Sequence, residues 1–148
     1  MFNALLSEQV AVVGVIDPDA NTAATLTTGW IDMSVYGGLL AIVMAGDLGT
    51  SATIDAKIEQ ATSSGGAGAK DVTGKVITQL TQAGTDKSNK QALINMRAEE
   101  LDRTNGFTHA RLSMTTATAT SDSGAIVLGL RGRYSPVAQA ASVIEAVE

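Results

Sequence analysis

The residues best placed to do chemistry lie in the stretch Ala61–Ile77, ATSSGGAGAKDVTGKVI, whose clustered glycines and Gly-Lys pair have the outline of a phosphate-binding loop. Such a loop uses glycine backbone N–H groups to close on phosphates, a lysine to reach them and a hydroxyl to hold magnesium, in the pattern G-x-x-x-x-G-K-[ST]. Here Ala69 stands where the first glycine is needed, and Val76 follows Lys75 in place of the hydroxyl. The dinucleotide pattern G-x-G-x-x-G fails as well, because Gly66-Ala67-Gly68 leads to Asp71 at the third glycine position. Both patterns open a helix, whereas Val72 to Leu80 is rich in β-branched residues. The stretch is therefore predicted to be an exposed loop between strands.

Other constellations fall short in similar ways. Asp17-Pro18-Asp19-Ala20-Asn21 matches the first ligand positions of a calcium loop, but Thr22 replaces the glycine at position six and Thr28 the glutamate at position twelve. His109 is the single histidine, so a two-histidine metal site is ruled out, and no G-x-S-x-G elbow accompanies it for a serine triad. Glu99, Glu100 and Asp102 cluster beside Arg97 and Arg103; paired carboxylates can do acid–base work in a cleft, and they also serve as a solvated edge or as intersubunit ion pairs. Arg131-Gly132-Arg133 is either a small anion patch or the polar end of a strand. No catalytic, cofactor-binding or metal-binding residue is expected.

Composition narrows the field further. With 148 residues the chain is the size of one domain, and without cysteine it has neither disulfides nor a thiolate ligand or nucleophile. A net charge of −5 with scattered Lys and Arg offers no stripe for a phosphate backbone, so direct nucleic-acid binding is not expected. The few aromatic residues give little stacking surface for sugars or bases. The longest apolar run, Leu39 to Ala45, is far below the roughly 20 residues of a membrane span, and the amino terminus lacks the features of a signal peptide. A soluble protein without export signal or membrane partner is predicted. Mean hydropathy is nonetheless slightly positive, which points to subunit interfaces and homo-oligomerisation.

Hydrophobic patterning predicts short strands separated by Gly, Asp and Ser turns. Val10 to Ile16 and Leu39 to Ala45 read as buried strands, the first ended by the Asp17-Pro18-Asp19 turn. Thr53 to Gln60 alternates, with Ile54, Ala56 and Ile58 opposite Thr53, Asp55, Lys57 and Glu59, which predicts a sheet with one wet face. Gln91 to Ala98 fits a strand better than a helix, since a helix would place Arg97 on the apolar face. Phe107 to Thr120 alternates again, and Ser121-Asp-Ser-Gly124 predicts a hairpin turn into Ala125–Leu130. Ser135-Pro136 followed by Val137, Ala140, Ala141, Ile144 and Val147 predicts a short C-terminal helix or docking arm. The expected fold is all-β: one domain over residues 1–148, an antiparallel β-sandwich or jelly-roll-like barrel, with an N-terminal arm over 1–8 and a C-terminal helix or arm over 136–148.

Several segments together resemble a family of small virion structural proteins of tailed bacteriophages. They are Leu48 to Thr62, Gly68 to Lys75, Gln79 to Thr81, Glu99 to Asp102, Asn105 to His109 and Gly129 to Pro136, so the resemblance spans roughly residues 30 to 136. It implies a head decoration, or cement, protein that sits on an icosahedral shell of phage major capsid protein, often as a trimer at three-fold positions. It also implies a protein made in the bacterial host cytoplasm that ends on the virion surface and catalyses no reaction. The terminal segments are the expected contacts, through Met1, Phe2, Leu5 and Leu6 at one end and Val137, Ile144 and Val147 at the other. A tail or head–tail joining protein is the alternative in the same setting. A β-sandwich ligand-binding or hydrolytic module using His109 and the nearby carboxylates is the alternative of another class.

Overall fold

A computed structural model describes residues 5–134, 136–143 and 145–146. After a single helical turn, α1 (Leu6–Gln9), the chain runs through ten strands: β1 (Val10–Asn21), β2 (Ala24–Thr27), β3 (Ile31–Asp32), β4 (Tyr36–Ala45), β5 (Thr53–Ala61), β6 (Lys70–Val76), β7 (Leu80–Thr81), β8 (Gln91–Arg97), β9 (His109–Ala117) and β10 (Ser121–Gly132). Two 3-10 turns, Ala98–Glu100 and Arg103–Asn105, join β8 to β9.

The strands form two antiparallel sheets. The first has the order β1-β10-β4-β8 and the second β2-β9-β5-β6, with β3 also pairing β9 and β7 pairing β5. Apart from β5 and β6, which follow one another, the neighbours along each sheet order come from separate parts of the chain, and along the sequence β1, β2, β4, β5, β6, β8, β9, β10 the chain changes sheet at every step except β5 to β6. That wound, two-layer antiparallel pattern is a jelly roll. The all-β sandwich expected from patterning is thus what forms.

Strand alternation places the core between the sheets. From the first sheet the rows Ile16–Ala125–Val43–Ala92 and Ala11–Gly129–Leu39–Met96 face inward. From the second, Ile54, Ala56 and Ile58 of β5 pack with Leu112 and Met114 of β9, all of them buried. The opposite side of β5 carries Asp55, Lys57 and Glu59, so the wet face read from Thr53–Gln60 is present.

Three local expectations change or narrow. First, β1 does not stop at Asp17-Pro18-Asp19 but continues to Asn21, with its register shifted between Ile16 and Asp19. Pro18 has no N–H to give, and a bulge is where a strand tolerates that loss. The bulge lays Pro18 over Gly124: a Cβ there would stand 2.9 Å from the Pro18 Cα, so only glycine fits.

Second, Ser121–Gly124 is not a hairpin turn. β9 and β10 lie in different sheets, and the chain crosses between them at Ala117–Thr120, with Thr118 in the left-handed region at φ 74°. The Ser121–Gly124 backbone is taken up by other partners: Asp122 N–H donates to Asp47 O (3.0 Å), Gly46 N–H donates to Asp122 O (2.8 Å), and Ser121 pairs with Asn21.

Third, of the two forms expected for the C-terminal segment, helix or arm, the described residues 136–143 take the arm, with a turn at Ala140–Val143. Val137 N–H donates to Glu8 O (3.0 Å) and Ala140 N–H to Val12 O (2.9 Å), so the arm lies along the free edge of β1. The Gln139 side chain completes the attachment, accepting from Val12 N–H at 2.7 Å and donating to Ser7 O and Val10 O at 2.8 Å. Covering an edge strand in this way satisfies its unpaired backbone groups and blocks unwanted pairing there.

The core rows predict a sharp contrast between positions. Leu112→Ala, at a fully buried site, should lower stability by about 2–5 kcal/mol. Val76→Thr, at an exposed site, should stay within about 0.5 kcal/mol. Urea unfolding of both variants checks the pair.

Candidate functional site

The glycine-rich stretch forms the connection from β5 to β6, and its amides are already engaged. Gly66 N–H donates to Ser63 O (3.0 Å), Thr62 N–H to Ala67 O (3.0 Å) and Ala69 N–H to Gly66 O (3.2 Å). The lysines are engaged too: Lys75 Nζ lies 2.8 Å from Glu100 Oε1, and Lys70 Nζ lies 2.6 Å from Asp102 Oδ2 and 4.3 Å from the centre of the Phe107 ring. Both lysines and the amides of Thr62, Gly66, Ala67 and Ala69 are thus committed to contacts within the protein. The loop's visible role is packing. A Cβ on Gly66, whose φ is +81°, would stand 2.6 Å from Trp30 Nε1. The loop closes over Trp30 from one side, while the Arg111 guanidinium sits 4.4 Å from the indole ring and donates to Glu59 (2.8 Å).

The other sequence candidates are placed as follows. His109 pairs with Asp32 across β9 and β3, but its Nδ1 contacts Thr108 Oγ1 at 2.9 Å. Asp32 accepts the Ser34 N–H at 2.8 Å, a bond that holds its carboxyl below the usual range. Among the described residues no hydrogen bond links the Asp32 carboxylate to the imidazole, so the two do not form the base and orienter of a triad. Asp17 and Asp19 sit at the β1 bulge; the Asn21 amide donates to Ser123 O (2.9 Å) and to the Asp19 backbone O (3.3 Å), while the Asp19 carboxylate accepts the Ala20 N–H (2.7 Å). No group of three metal-ligating side chains occurs among the described residues.

Glu99 and Glu100 lie in the first 3-10 turn and Asp102 caps the second, all three in ion pairs. Lys75 is the main cause that holds the Glu100 carboxyl below its ordinary value, with the Arg97 N–H (2.6 Å) second. Lys70 does the same for Asp102, helped by Asn105. Arg97 reaches Glu99 at 3.4 Å, and Arg103 donates to Ala98 O (3.1 Å). Of the proposed terminal contacts, Leu5 and Leu6 are exposed on α1 and Val137 is half-buried in the arm beside it; Met1, Phe2, Ile144 and Val147 lie outside the described residues.

The surface feature that patterning missed is the outer face of the first sheet. Register places three rows there: Val15–Ile126–Ile42–Leu93, Val12–Leu128–Leu40–Asn95 and Val10–Leu130–Gly38–Arg97. Met44 extends the face beyond the first row. Exposure reaches 42% at Met44 and 60% at Leu93. An antiparallel sheet with one covered face ordinarily shows polar residues on the other, as the second sheet does here with Lys57, Glu59 and Arg111. The signal was present in the sequence: VAVVGVI, LLAIVMA and AIVLGL are apolar at every position, the pattern of a strand buried on both sides.

No protein-family model matches the chain, and no curated protein is significantly similar to it. Among solved structures there are partial likenesses. VP2 of the infectious bursal disease virus subviral particle has a TM-score of 0.47 at 15% identity, over 84% of this chain and 33% of VP2. This chain therefore spans about a third of that protein. A protein of the cowpea mosaic virus empty virus-like particle has a TM-score of 0.44 at 10% identity, over 93% of this chain and 89% of that one. A carbohydrate-binding module specific for non-crystalline cellulose has a TM-score of 0.43 at 11% identity, over 84% and 73%. The jelly roll is assigned on the strand order itself.

Two measurements check the loop and the turns. Gly66→Ala should destabilise by about 1–2 kcal/mol from the left-handed backbone alone, and more from the collision with Trp30; a lower melting temperature and red-shifted emission of the single tryptophan would report it. For Glu100 and Asp102, whose folded pKa values lie below their ordinary values of 4.5 and 3.8, the stabilisation is full above those values and is lost as pH falls through them. Melting temperature should hold from pH 7 to about 5 and decline below. The Lys70→Met, Lys75→Met double variant should start lower and decline less.

Proposed function

We propose that the protein is a non-enzymatic virion structural subunit, of the head decoration type, that binds an assembled phage shell and braces it. The observation that carries the reading is the open apolar face of the first sheet. A folded jelly roll whose outer sheet face is mainly aliphatic and half-exposed, with Met44 and Leu93 open to water, is built to be covered by a neighbour, which is the condition of an assembly subunit. The sequence resemblance over residues 30 to 136 supplies the setting, and the engaged state of the glycine loop and of His109 supports a role without catalysis.

In this reading the work is thermodynamic. A protein that binds only the assembled shell stabilises it by mass action, by about 2.7 kcal/mol per site at a free concentration one hundred times Kd. Joining copies adds avidity without new contacts. The termini are the grips: α1 presents Leu5 and Leu6 at the surface, and the C-terminal arm is anchored beside it through Gln139, so both terminal segments leave the domain at one sheet edge. Trimers at three-fold positions are the arrangement that the resemblance implies.

Purified protein mixed with undecorated capsids should bind at a fixed stoichiometry and raise the melting temperature of the shell. A chain lacking residues 1–5 and 141–148 should fold but bind more weakly, by at least about tenfold if two or three apolar side chains are lost from the contact. Protein that leaves capsid stability unchanged at saturating concentration would overturn the reading, and rings or tubes in electron micrographs would assign it to the tail or the head–tail joint.

A further inference from the structure

We infer that the outer face of the first sheet is a two-fold contact between copies of this chain, with the strands of the two copies running in opposite directions. The inference goes beyond a shell-binding role, because it concerns the free protein and specifies partner and orientation.

The two ends of β10 carry opposite charges. Asp122 lies at one end on the outer face, in the same alternation as Gly124, Ile126 and Leu128. Arg131 lies at the other, with its guanidinium 3.7 Å from where a Cβ on Gly38 would stand, and Gly38 belongs to the outer row Leu130–Gly38–Arg97. Neither charge has an ion-pair partner among the described residues, whereas Arg97 beside Arg131 is drawn toward Glu99. The face is therefore aliphatic in the middle, basic at one end and acidic at the other, where Asp19 joins Asp122.

Two sheets packed face to face about a two-fold axis have two choices. With the axis along the strands, like ends meet: Arg131 faces Arg131 and Asp122 faces Asp122. With the axis across the strands, each Arg131 meets the partner copy's acidic end, and the middle of the face, around Ile126 and Leu128, lies on the axis. Only the second arrangement pairs the unmatched charges, and it does so twice by symmetry. The acidic end also offers a shallow groove lined by Pro18, Met44, Gln91 and Gly124, which gives the incoming arginine stem an apolar wall.

Size agrees. Four strands at about 4.8 Å spacing and nine residues at about 3.4 Å give a footprint of about 19 by 31 Å, or about 600 Å² before side-chain relief. A stable interface needs about 800 Å² per partner, which such a corrugated face with its charged rim approaches. Sheets packed this way sit about 10 Å apart, close enough for the aliphatic rows to interdigitate.

Light scattering and native mass spectrometry on the full chain, without capsids, test the inference. The expected mass is an even multiple of 15.1 kDa, where the resemblance implies three copies. Leu93→Glu, on the exposed edge strand where folding tolerates it, should give folded monomers by circular dichroism and mass. Asp122→Arg should weaken self-association by about tenfold, since two symmetric pairs become repulsions, and adding Arg131→Asp should restore it. A monomeric or trimeric wild type, a mass indifferent to Leu93→Glu, or a double charge reversal no better than the single would each overturn the inference. Shell binding is read in a separate experiment, so either conclusion can fail alone.

Discussion

A two-layer sandwich has one interior, and the first sheet of this protein is apolar on two faces. The rest of the structure follows from that mismatch. The inner rows, built on Ile16, Val43, Leu39 and Met96, meet the second sheet and form the core. The outer rows, built on Val15, Ile126, Ile42 and Leu93, meet no third layer among the described residues. The second sheet has the complementary character: its outer face carries Lys57, Glu59 and Arg111 in ion pairs, and it is at home in water. The molecule is therefore two-sided, and its dry side is set by register across β1, β10, β4 and β8.

Irregular features cluster at the ends of that dry side. The Pro18 bulge sits over Gly124, the Gly37-Gly38 pair lets Arg131 lie close against β4, and the C-terminal arm closes the β1 edge through Gln139. Each breaks a local strand rule, through a proline within a strand, glycines in a strand or a long side chain bonded to an edge backbone. Together they blunt one edge of the sheet while leaving its face free. Protecting an edge and exposing a face is coherent for a subunit that must pair through side chains and not through backbone ladders.

The glycine-rich connection illustrates how a chemical motif and a packing motif can look alike. Glycines with an adjacent lysine serve phosphate loops because backbone donors can converge there. Between β5 and β6 the same residue types let the chain turn back over the Trp30 ring, with the amides of Thr62, Gly66, Ala67 and Ala69 bonded within the turn. Gly66 is required by the indole beneath it, and Lys75 by Glu100. The departures at Ala69 and Val76 were legible in the sequence; the indole contact was not, because Trp30 lies more than thirty residues away.

Local periodicity by itself determined the β class, the amphipathic strand Thr53–Gln60, the strand Gln91–Arg97 and the absence of a complete phosphate, calcium or triad motif. These depend on neighbouring residues and on the two-residue repeat of a strand, which the chain carries in full. Tertiary structure alone decided that the chain crosses between sheets at Ala117–Thr120 and that Ser121–Gly124 belongs to β10 instead of turning a hairpin, that β1 continues past Pro18, and that the C-terminal arm lies along the β1 edge. It also decided which face of VAVVGVI, LLAIVMA and AIVLGL stays in water. An apolar run states that both of its faces call for cover, but pairing between strands a hundred residues apart determines which face is covered within the domain and which is left for another molecule.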